Sequence, residues 1–268
     1  MFVERHGRGP RVYFALHGWG GDRRTFAPLA RFVPEGATLL GADLPGCGDS
    51  PAPREWSVGA VVEEVVGAVR EIAPLSRATP LRLTLVGNCG GAVFALLAAE
   101  VLGEKVGRVV MIDPFAYLPR YFRLFLAGDF GRRAYGATFA NPVGRWVTNQ
   151  TLRGRRSATA DLTASFAETD HEAARRYLAL YDEVGSVERF RGFAAPVEIA
   201  HGDKTFGAVR KSLALWLDVL PRARVHELEG AGHQPVAEAP AQTARVIFGG
   251  EYETNTGARE AESARGSF

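Results

Sequence analysis

Short apolar runs alternate with longer amphipathic segments along most of this 268-residue chain. Runs that are apolar almost throughout are typical of strands buried on both faces of a parallel sheet. The predicted strands cover residues 12–16, 38–42, 81–86, 109–112, 197–200 and 225–228, and several of them are such runs.

Helical spacing of apolar residues recurs between these predicted strands. Ser57 can cap a helix in which valines lie four and eight residues after Val61. Residues 92–102 are rich in Ala and Leu and predict a helix buried against the sheet. Two further predicted helices cover residues 208–220 and 238–246. The alternation predicts an α/β fold with a mostly parallel, doubly wound sheet.

The alternation stops between residues 115 and 193. This segment has no strand-like run and is rich in arginine and aromatic residues. It predicts an inserted helical subdomain, either one with an ordinary amphipathic core or a helical lid over an active site. On this division, residues 1–114 and 194–248 form the core, and the polar residues 249–268 form a disordered tail.

Composition restricts the class of protein. Hydrophobic residues make up 46% of the chain and charged residues 23%, as in globular proteins with a sizeable core. A net charge of +2 gives no general attraction to nucleic acid or membranes. No apolar run approaches the roughly 18–20 residues of a membrane-spanning helix. Cys47 and Cys89 form no disulfide framework, so we expect a cytoplasmic protein with both thiols reduced.

The strongest candidate chemistry is the sequence Gly87-Asn88-Cys89-Gly90-Gly91, between a predicted strand and a predicted helix. A sharp strand-to-helix turn leaves room only for small residues two before and two after a nucleophile, and Gly87 and Gly91 occupy those positions. Cys89 would then lie at a helix N-terminus, where the helix dipole favours a thiolate. A buried structural cysteine is the alternative, and the strand–turn–helix context favours the nucleophile.

Two other loops supply partners for such a nucleophile. The Gly-rich sequence at residues 16–20 follows the first predicted strand, and the backbone N–H of Trp19 could join that of Gly90 in an oxyanion hole. His17 in that loop is expected to anchor it by hydrogen bonds. His233, in a Gly-flanked loop after the last predicted strand, can act as general base and then general acid.

Four motifs carry a resemblance to a known superfamily. In chain order they are LHGWG, ADLPGCGDS, GNCGG and GAGHQPVAEAP. Over about residues 11–246 their order and spacing resemble those of the α/β-hydrolase superfamily, especially its small esterase and thioesterase branch with a helical lid, such as the biotin-pathway carboxylesterases. The resemblance implies a triad whose serine and histidine positions fall on Cys89 and His233, and no dissociable cofactor.

The sequence departs from that superfamily at two positions. The nucleophile is a cysteine, as in dienelactone hydrolases and some cysteine thioesterases. The usual acid position, in the loop after residues 197–200, holds Thr205. Asp113, after the preceding strand, is the favoured replacement, although an aspartate before a proline is also a common turn cap. Asp203 is the alternative acid, and a Cys–His dyad without any acid is a third possibility.

The charge of residues 115–193 bears on the substrate. They hold twelve arginines and eight acidic residues. Guanidinium groups suit the phosphates and carboxylates of acyl-CoA or of a phosphopantetheine carrier protein. A solvated helical face is the plainer interpretation and is favoured.

The sequence as a whole predicts covalent acyl chemistry on a small-molecule ester or thioester through a Cys-His-Asp triad. Hydrolysis is the expected fate of the acyl-enzyme. Acyl transfer or cyclisation through the same intermediate is the main alternative. A lyase or eliminase, or a ligand-binding relative without activity, is favoured only by the uncharged residue at the usual acid position.

Overall fold

The computed structural model describes residues 1–72, 83–157 and 160–249. In this part of the chain seven strands form one sheet in the order β1-β3-β2-β4-β5-β6-β7. The strands are β1 (Val3–Gly7), β2 (Arg11–Leu16), β3 (Ala37–Ala42), β4 (Leu83–Asn88), β5 (Val106–Ile112), β6 (Val197–Gly202) and β7 (Arg224–Leu228). Neighbouring strands are parallel, except that β1 pairs antiparallel with β3. The sheet is therefore mostly parallel, as predicted.

The predicted strands correspond to β2–β7. Residues 81 and 82 of one predicted strand lie outside the described residues, and β4 continues to Asn88, next to Cys89. β1 is not among the predicted strands, because its residues VERHG contain no apolar run. As an edge strand it stays partly exposed along its length, so it needs no continuous apolar sequence.

Helices cover both faces of the sheet and fill the segment between β5 and β6. The α-helices are α1 (Val58–Ile72), α2 (Gly91–Leu102), α3 (Arg120–Arg123), α4 (Gly128–Tyr135), α5 (Pro142–Thr151), α6 (His171–Val184), α7 (Gly207–Val219), α8 (Pro235–Glu238) and α9 (Pro240–Phe248). Buried residues of α1, α2 and α7 form one apolar core with the sheet. Residues of α9 and of the 3-10 helix Arg23–Phe32 form a second core on the other face. This is the doubly wound arrangement that the sequence predicts. Within the described ranges, no helix is both long and apolar enough to cross a membrane.

The last predicted helix, residues 238–246, differs from the observed one. The chain forms the short α8 and then α9, with Ala239 between them in a non-helical conformation (φ −138°, ψ 57°). A residue before proline is driven out of the helical region, and proline suits the first position of a helix. Pro240 therefore ends one helix and begins the next.

Residues 115–193, here called the helical insert, contain no strand in their described part. Their helices α3–α6 surround an apolar cluster of their own. The buried members of that cluster are Leu118, Phe125, Tyr135, Phe139, Phe166, Ala174 and Leu178. Of the predicted tail, residues 250–268 lie outside the described residues.

Candidate active site

The residues predicted to carry chemistry come from the carboxyl ends of neighbouring strands. Cys89 follows β4, Asp113 follows β5, and His233 lies in the loop after β7. Because β4 to β7 are parallel neighbours, these ends meet at one edge of the sheet. Open α/β sheets bind ligands at this edge.

Cys89 occupies the strand-to-helix turn that the sequence predicts. Its φ of 51° lies in the left-handed region, which a residue with a side chain rarely adopts. A Cβ atom at Gly87 would lie 2.3 Å from the Cα of Ala92, and one at Gly91 would lie 2.3 Å from the carbonyl oxygen of Leu16. The turn therefore excludes side chains two residues before and two residues after Cys89.

His233 contacts both Asp113 and Cys89. Its Nδ1 forms a hydrogen bond with Oδ2 of Asp113, and the ring also forms a hydrogen bond with the Cys89 side chain. Asp113 is completely buried, and its carboxylate accepts further hydrogen bonds from the backbone N–H of Gly202 (3.2 Å) and from the hydroxyl of Thr205. The three side chains form a continuous chain of hydrogen bonds from acid to imidazole to thiol.

Asp203, the alternative acid, does not reach this chain. Its Oδ1 is buried without a hydrogen-bond partner in the described part of the protein. Its backbone N–H donates to the carbonyl oxygen of Leu228 (3.1 Å), which holds the loop beside β7. The geometry thus brings Asp113, and not Asp203, against His233.

Thr205 is a site residue whose contribution sequence reasoning misses. It lies where the resemblance leads one to expect an acid, and it is completely buried. Its hydroxyl donates to the same Asp113 oxygen that contacts His233. The signal in the sequence is a hydroxyl-bearing residue at the usual acid position. A buried carboxylate needs hydrogen-bond donors, so if Asp113 supplies the acid instead, Thr205 can donate to it.

The pKa of His233 is raised to about 10 by its neighbours. Burial acts to lower this pKa, but the negative charge of Cys89, the hydrogen bonds to Asp113 and Cys89 and the charge of Asp113 outweigh it. The rings of Phe115 and Phe206 lie 5.3 and 4.6 Å from the imidazole, centroid to centroid, and form apolar walls around it. The imidazole of His233 therefore carries its second proton at neutral pH.

The loop after β2 packs directly against Cys89. A Cβ atom at Gly18 would lie 2.8 Å from the Cβ of Cys89. Within the described ranges, the backbone N–H groups of Trp19 and Gly90 donate no hydrogen bond to another backbone group. Both donors thus remain available for an acceptor from outside the chain.

His17 fixes this loop from below. Its Nε2 accepts a hydrogen bond from the backbone N–H of Leu44 (3.0 Å), so its Nδ1 carries the proton and donates to the carbonyl oxygen of Gly18 (2.8 Å). Burial lowers the pKa of His17 and keeps the ring neutral. These contacts agree with the expected anchoring role.

Trp19 also joins the loop to the helical insert. Its indole N–H donates to the carbonyl oxygen of Ala174 (2.7 Å). Its ring packs edge-on against Phe122, Phe139 and Phe166 at centroid distances of 5.0, 4.9 and 4.8 Å. The role predicted for Trp19 involves only its backbone, whereas its side chain packs against the apolar cluster of the insert.

Glu238 holds the loop that carries His233. Its carboxylate accepts hydrogen bonds from the backbone N–H of Gly232 (3.1 Å) and of Gln234 (2.9 Å), on either side of the histidine. It also accepts one from the backbone N–H of Ser157 in the helical insert. One side chain thus ties the histidine loop to the insert.

A cavity of about 1140 Å³ opens above Cys89 and His233, between the sheet edge and the helical insert. Its walls are mostly apolar. Aromatic lining residues from the insert include Phe115, Tyr117, Phe122, Phe139, Phe166 and Tyr181. The insert therefore supplies much of the wall of the chamber that contains Cys89.

The arginines of the insert contribute little to this wall. Among the described lining residues, Arg155 is the one arginine that comes from the insert. Ion pairs with acidic side chains hold Arg123, Arg132, Arg175, Arg176, Arg189 and Arg191. Most of the charge noted in the sequence therefore lies away from the cavity.

Cys47 lies in an environment that disfavours the thiolate form. It is buried, and burial together with the charges of Asp43, Asp170 and Asp22 raises the pKa of its thiol to about 12.

In the described residues, no group of three or more His, Cys, Asp or Glu side chains could hold a metal ion.

Comparison with known proteins identifies the family. A model described as the alpha/beta hydrolase family matches residues 13–246. The chain belongs to this family. A solved hydrolase, the thermophilic esterase from Thermogutta terrifontis, superposes with a TM-score of 0.72 over 92% of this chain and 91% of that chain, at 16% identity. At that identity the likeness shows the shared fold alone.

Two curated relatives are pimeloyl-[acyl-carrier protein] methyl ester esterases. The one from Stenotrophomonas maltophilia is 35% identical over 145 residues, which cover 49% of this chain and 51% of the relative. The one from Methylococcus capsulatus is 33% identical over 112 residues, covering 42% and 40%. The chain thus spans about half the length of the curated relatives it matches.

Proposed function

We propose that this alpha/beta hydrolase is a carboxylic ester or thioester hydrolase that uses Cys89 as its nucleophile. The observation that carries the proposal is the hydrogen-bonded chain from Asp113 through His233 to Cys89, which opens into the large apolar cavity. Nucleophile, base and orienting acid in this arrangement are the requirements of covalent acyl chemistry.

In the first half-reaction, the thiolate of Cys89 attacks the carbonyl carbon and the carbonyl oxygen takes up the negative charge. The backbone N–H groups of Trp19 and Gly90 are the proposed donors to that oxygen. As the intermediate collapses, protonated His233 gives its proton to the leaving alcohol or thiol. The product of this step is a thioester between the acyl group and Cys89.

The same contacts prepare His233 for the second half-reaction. The thiolate charge is a leading cause of the raised His233 pKa, and that charge disappears when Cys89 is acylated. The pKa of the ring then falls, and the neutral imidazole can take a proton from the attacking water. Asp113 holds the ring orientation in both steps through its bond to Nδ1.

The cavity and the relatives support an acyl substrate with a long apolar part. A volume of about 1140 Å³ and mostly apolar walls suit a carbon chain of medium to large size. The curated relatives act on a methyl ester carried by acyl-carrier protein. We therefore include CoA- and carrier-bound acyl groups among the proposed substrates and assign the helical insert the role of a lid.

Acyl transfer is a second candidate, and the identity of the nucleophile favours it. A thioester reacts more readily with amines and thiols than an oxygen ester does, so the acyl-Cys89 intermediate could pass its acyl group to such an acceptor.

The case for a lyase or an inactive relative rests on the uncharged residue at the usual acid position. That case weakens because the carboxylate of Asp113 contacts His233.

Intact-mass detection of the acyl-enzyme tests the proposal. The protein is incubated with p-nitrophenyl esters and acyl thioesters of increasing chain length, and the adduct is located by peptide mapping. We expect a stoichiometric acyl adduct on Cys89 and its slow loss in water. Loss of the adduct that speeds up on adding an amine or thiol acceptor would favour transfer.

Cys89→Ala should form no adduct and lose activity by a factor of about 10⁴ or more, whereas the matched control Cys47→Ala should keep both. An adduct on another residue, or full activity in Cys89→Ala, would contradict the proposal.

A further inference from the structure

The hydroxyl of Tyr181 is a buried polar group without a hydrogen-bond partner in the described part of the protein. Buried hydroxyls normally find a partner, so each exception calls for an explanation. Tyr181 lies on α6 of the helical insert and lines the same cavity as Cys89 and Gly90. The unpaired donor thus belongs to a residue in the wall of the chamber in which the proposed reaction takes place.

Its position relative to the nucleophile is well defined. A Cβ atom at Gly90 would lie 2.3 Å from the Tyr181 oxygen and 2.2 Å from its ring carbon Cζ. The phenol therefore rests directly on Gly90, the residue whose backbone N–H is a proposed oxyanion donor. This contact also explains why the residue after Cys89 is a glycine.

The phenol stays protonated at any working pH. Burial, and next the charges of Cys89 and Cys47, raise the pKa of Tyr181 well above its usual value. A neutral hydroxyl close to a site of negative charge is suited to donate a hydrogen bond and not to accept a proton.

Tyr177, one turn earlier on α6, shows what a structural tyrosine does here. It is also buried, and its ring lies 6.1 Å from that of Tyr181. Its hydroxyl donates to the carbonyl oxygen of Pro45 at 2.9 Å. The two tyrosines share a helix, but within the described residues the hydroxyl of Tyr177 has an acceptor and that of Tyr181 has none.

We propose that the Tyr181 hydroxyl is a third donor to the oxyanion, beside the backbone N–H groups of Trp19 and Gly90. The inference rests on the proposed acyl chemistry. Because the donor has no partner among the described residues, the carbonyl oxygen of the substrate is its proposed acceptor, and this hydrogen bond strengthens as negative charge develops on that oxygen. Such an interaction stabilises the transition state more than the ground state and raises kcat. Tyr181 is then a catalytic residue supplied by the helical insert.

Tyr181→Phe and Tyr177→Phe form a matched pair to test this. Each is assayed for kcat and KM on one unactivated ester, for the rate of Cys89 acylation, for the rate of Cys89 alkylation by iodoacetamide, and for Tm. Tyr181→Phe removes a hydroxyl that has no bond, so Tm should not fall. Its kcat and acylation rate should fall by about 10²-fold, as for loss of one oxyanion donor. Its KM and its alkylation rate, which involves no oxyanion, should not change.

Tyr177→Phe should show the opposite pattern, with a lower Tm because the Pro45 carbonyl loses its donor, and with kcat close to that of the wild type. Wild-type kcat in Tyr181→Phe, or a change in KM alone, would overturn the inference while leaving the Cys89 acyl adduct intact. Absence of that adduct in the wild-type protein would overturn the proposed function and this inference together.

Discussion

The sheet edge and the helical insert meet at the same cavity but are held in place by different forces. At the sheet edge, Cys89 and Asp113 both adopt positive φ values, and hydrogen bonds hold Asp113 and His233 in place. In the insert, aromatic rings pack around one another and around Trp19. Hydrogen bonds, which are directional, hold the reactive side chains of the sheet edge in precise positions. Apolar packing in the insert shapes the walls of the cavity.

The comparison predicts that substitutions at the sheet edge change the rate of chemistry and that most substitutions in the insert change which substrates are accepted. Tyr181 is the exception on the insert side. Hydrogen bonds join the two regions, including those from the Trp19 indole, to the Glu238 carboxylate, and from the His233 backbone N–H to the carbonyl oxygen of Arg155 (3.2 Å).

The largest expected effect at the sheet edge, apart from loss of Cys89, is that of Asp113→Asn. The amide cannot stabilise the charged ring and favours the wrong tautomer, so kcat should fall by about 10⁴-fold. Asp203→Asn is the matched control and should change kcat by less than about threefold, because its carboxylate does not contact His233. Steady-state kinetics on one ester decides between them. Equal, small effects would favour a Cys–His dyad, and the reverse order would transfer the role to Asp203.

The pH profile should show an alkaline limit far above that of an ordinary histidine. His233 must be protonated to serve the leaving group, and its pKa in the free enzyme is raised to about 10. For an alkyl ester, kcat/KM should therefore hold up to about pH 10 and then fall by about tenfold per pH unit. A p-nitrophenyl ester, whose leaving group needs no proton, should show no such fall. A limit near pH 6.5 for the alkyl ester would refute the raised pKa of His233.

Most of the sheet and the core of the site could be predicted from sequence because they follow from short-range rules. Gly87 and Gly91 flank Cys89 because the turn excludes side chains there. Most of the parallel strands have largely apolar sequences, although β7, with the sequence RVHEL, does not. The edge strand β1 lacks such a run, and the break at Pro240 was missed because apolar periodicity continues across it.

The parts of the site that the sequence does not predict depend on contacts between residues far apart in the chain. Thr205 and Asp113 are separated by 92 positions, and no local pattern joins them. The unpaired hydroxyl of Tyr181 and the bridging carboxylate of Glu238 belong to the same class. Tyr181 and Glu238 each look ordinary in their own helices. Their contacts with the site form only when the helical insert packs against the sheet edge.

Thr205→Val tests how much the function of Asp113 depends on the hydrogen bond from Thr205. The valine keeps the shape but removes a hydrogen bond to the buried carboxylate of Asp113. We expect kcat to fall by about tenfold, since a hydrogen bond to a charged group contributes about 1.5–3 kcal/mol. Thr38→Val, at a buried threonine whose hydroxyl donates to the carbonyl oxygen of Gly9 and does not line the cavity, is the control and should leave kcat unchanged. Unchanged activity in Thr205→Val would mean that the bond from Gly202 alone suffices.

The smallest expected effect concerns the charge of the helical insert. Arg155 lines the cavity, whereas Arg191 pairs with Glu188 and Asp218 on the exposed surface. If a CoA or carrier phosphate meets Arg155, Arg155→Gln should lower kcat/KM for a CoA thioester by about two- to fivefold at low salt, in keeping with about 1 kcal/mol or less for an exposed charge pair. Arg191→Gln should have no effect. Salt screens such contacts, because the Debye length falls from about 30 Å at 0.01 M to 8 Å at 0.15 M. The difference between Arg155→Gln and the wild type should therefore shrink as salt rises, and a neutral ester should show neither effect. Arg155 also bonds the carbonyl oxygen of Thr205 at 3.4 Å, so an equal loss for both substrates would mean that it supports the acid loop and does not bind substrate.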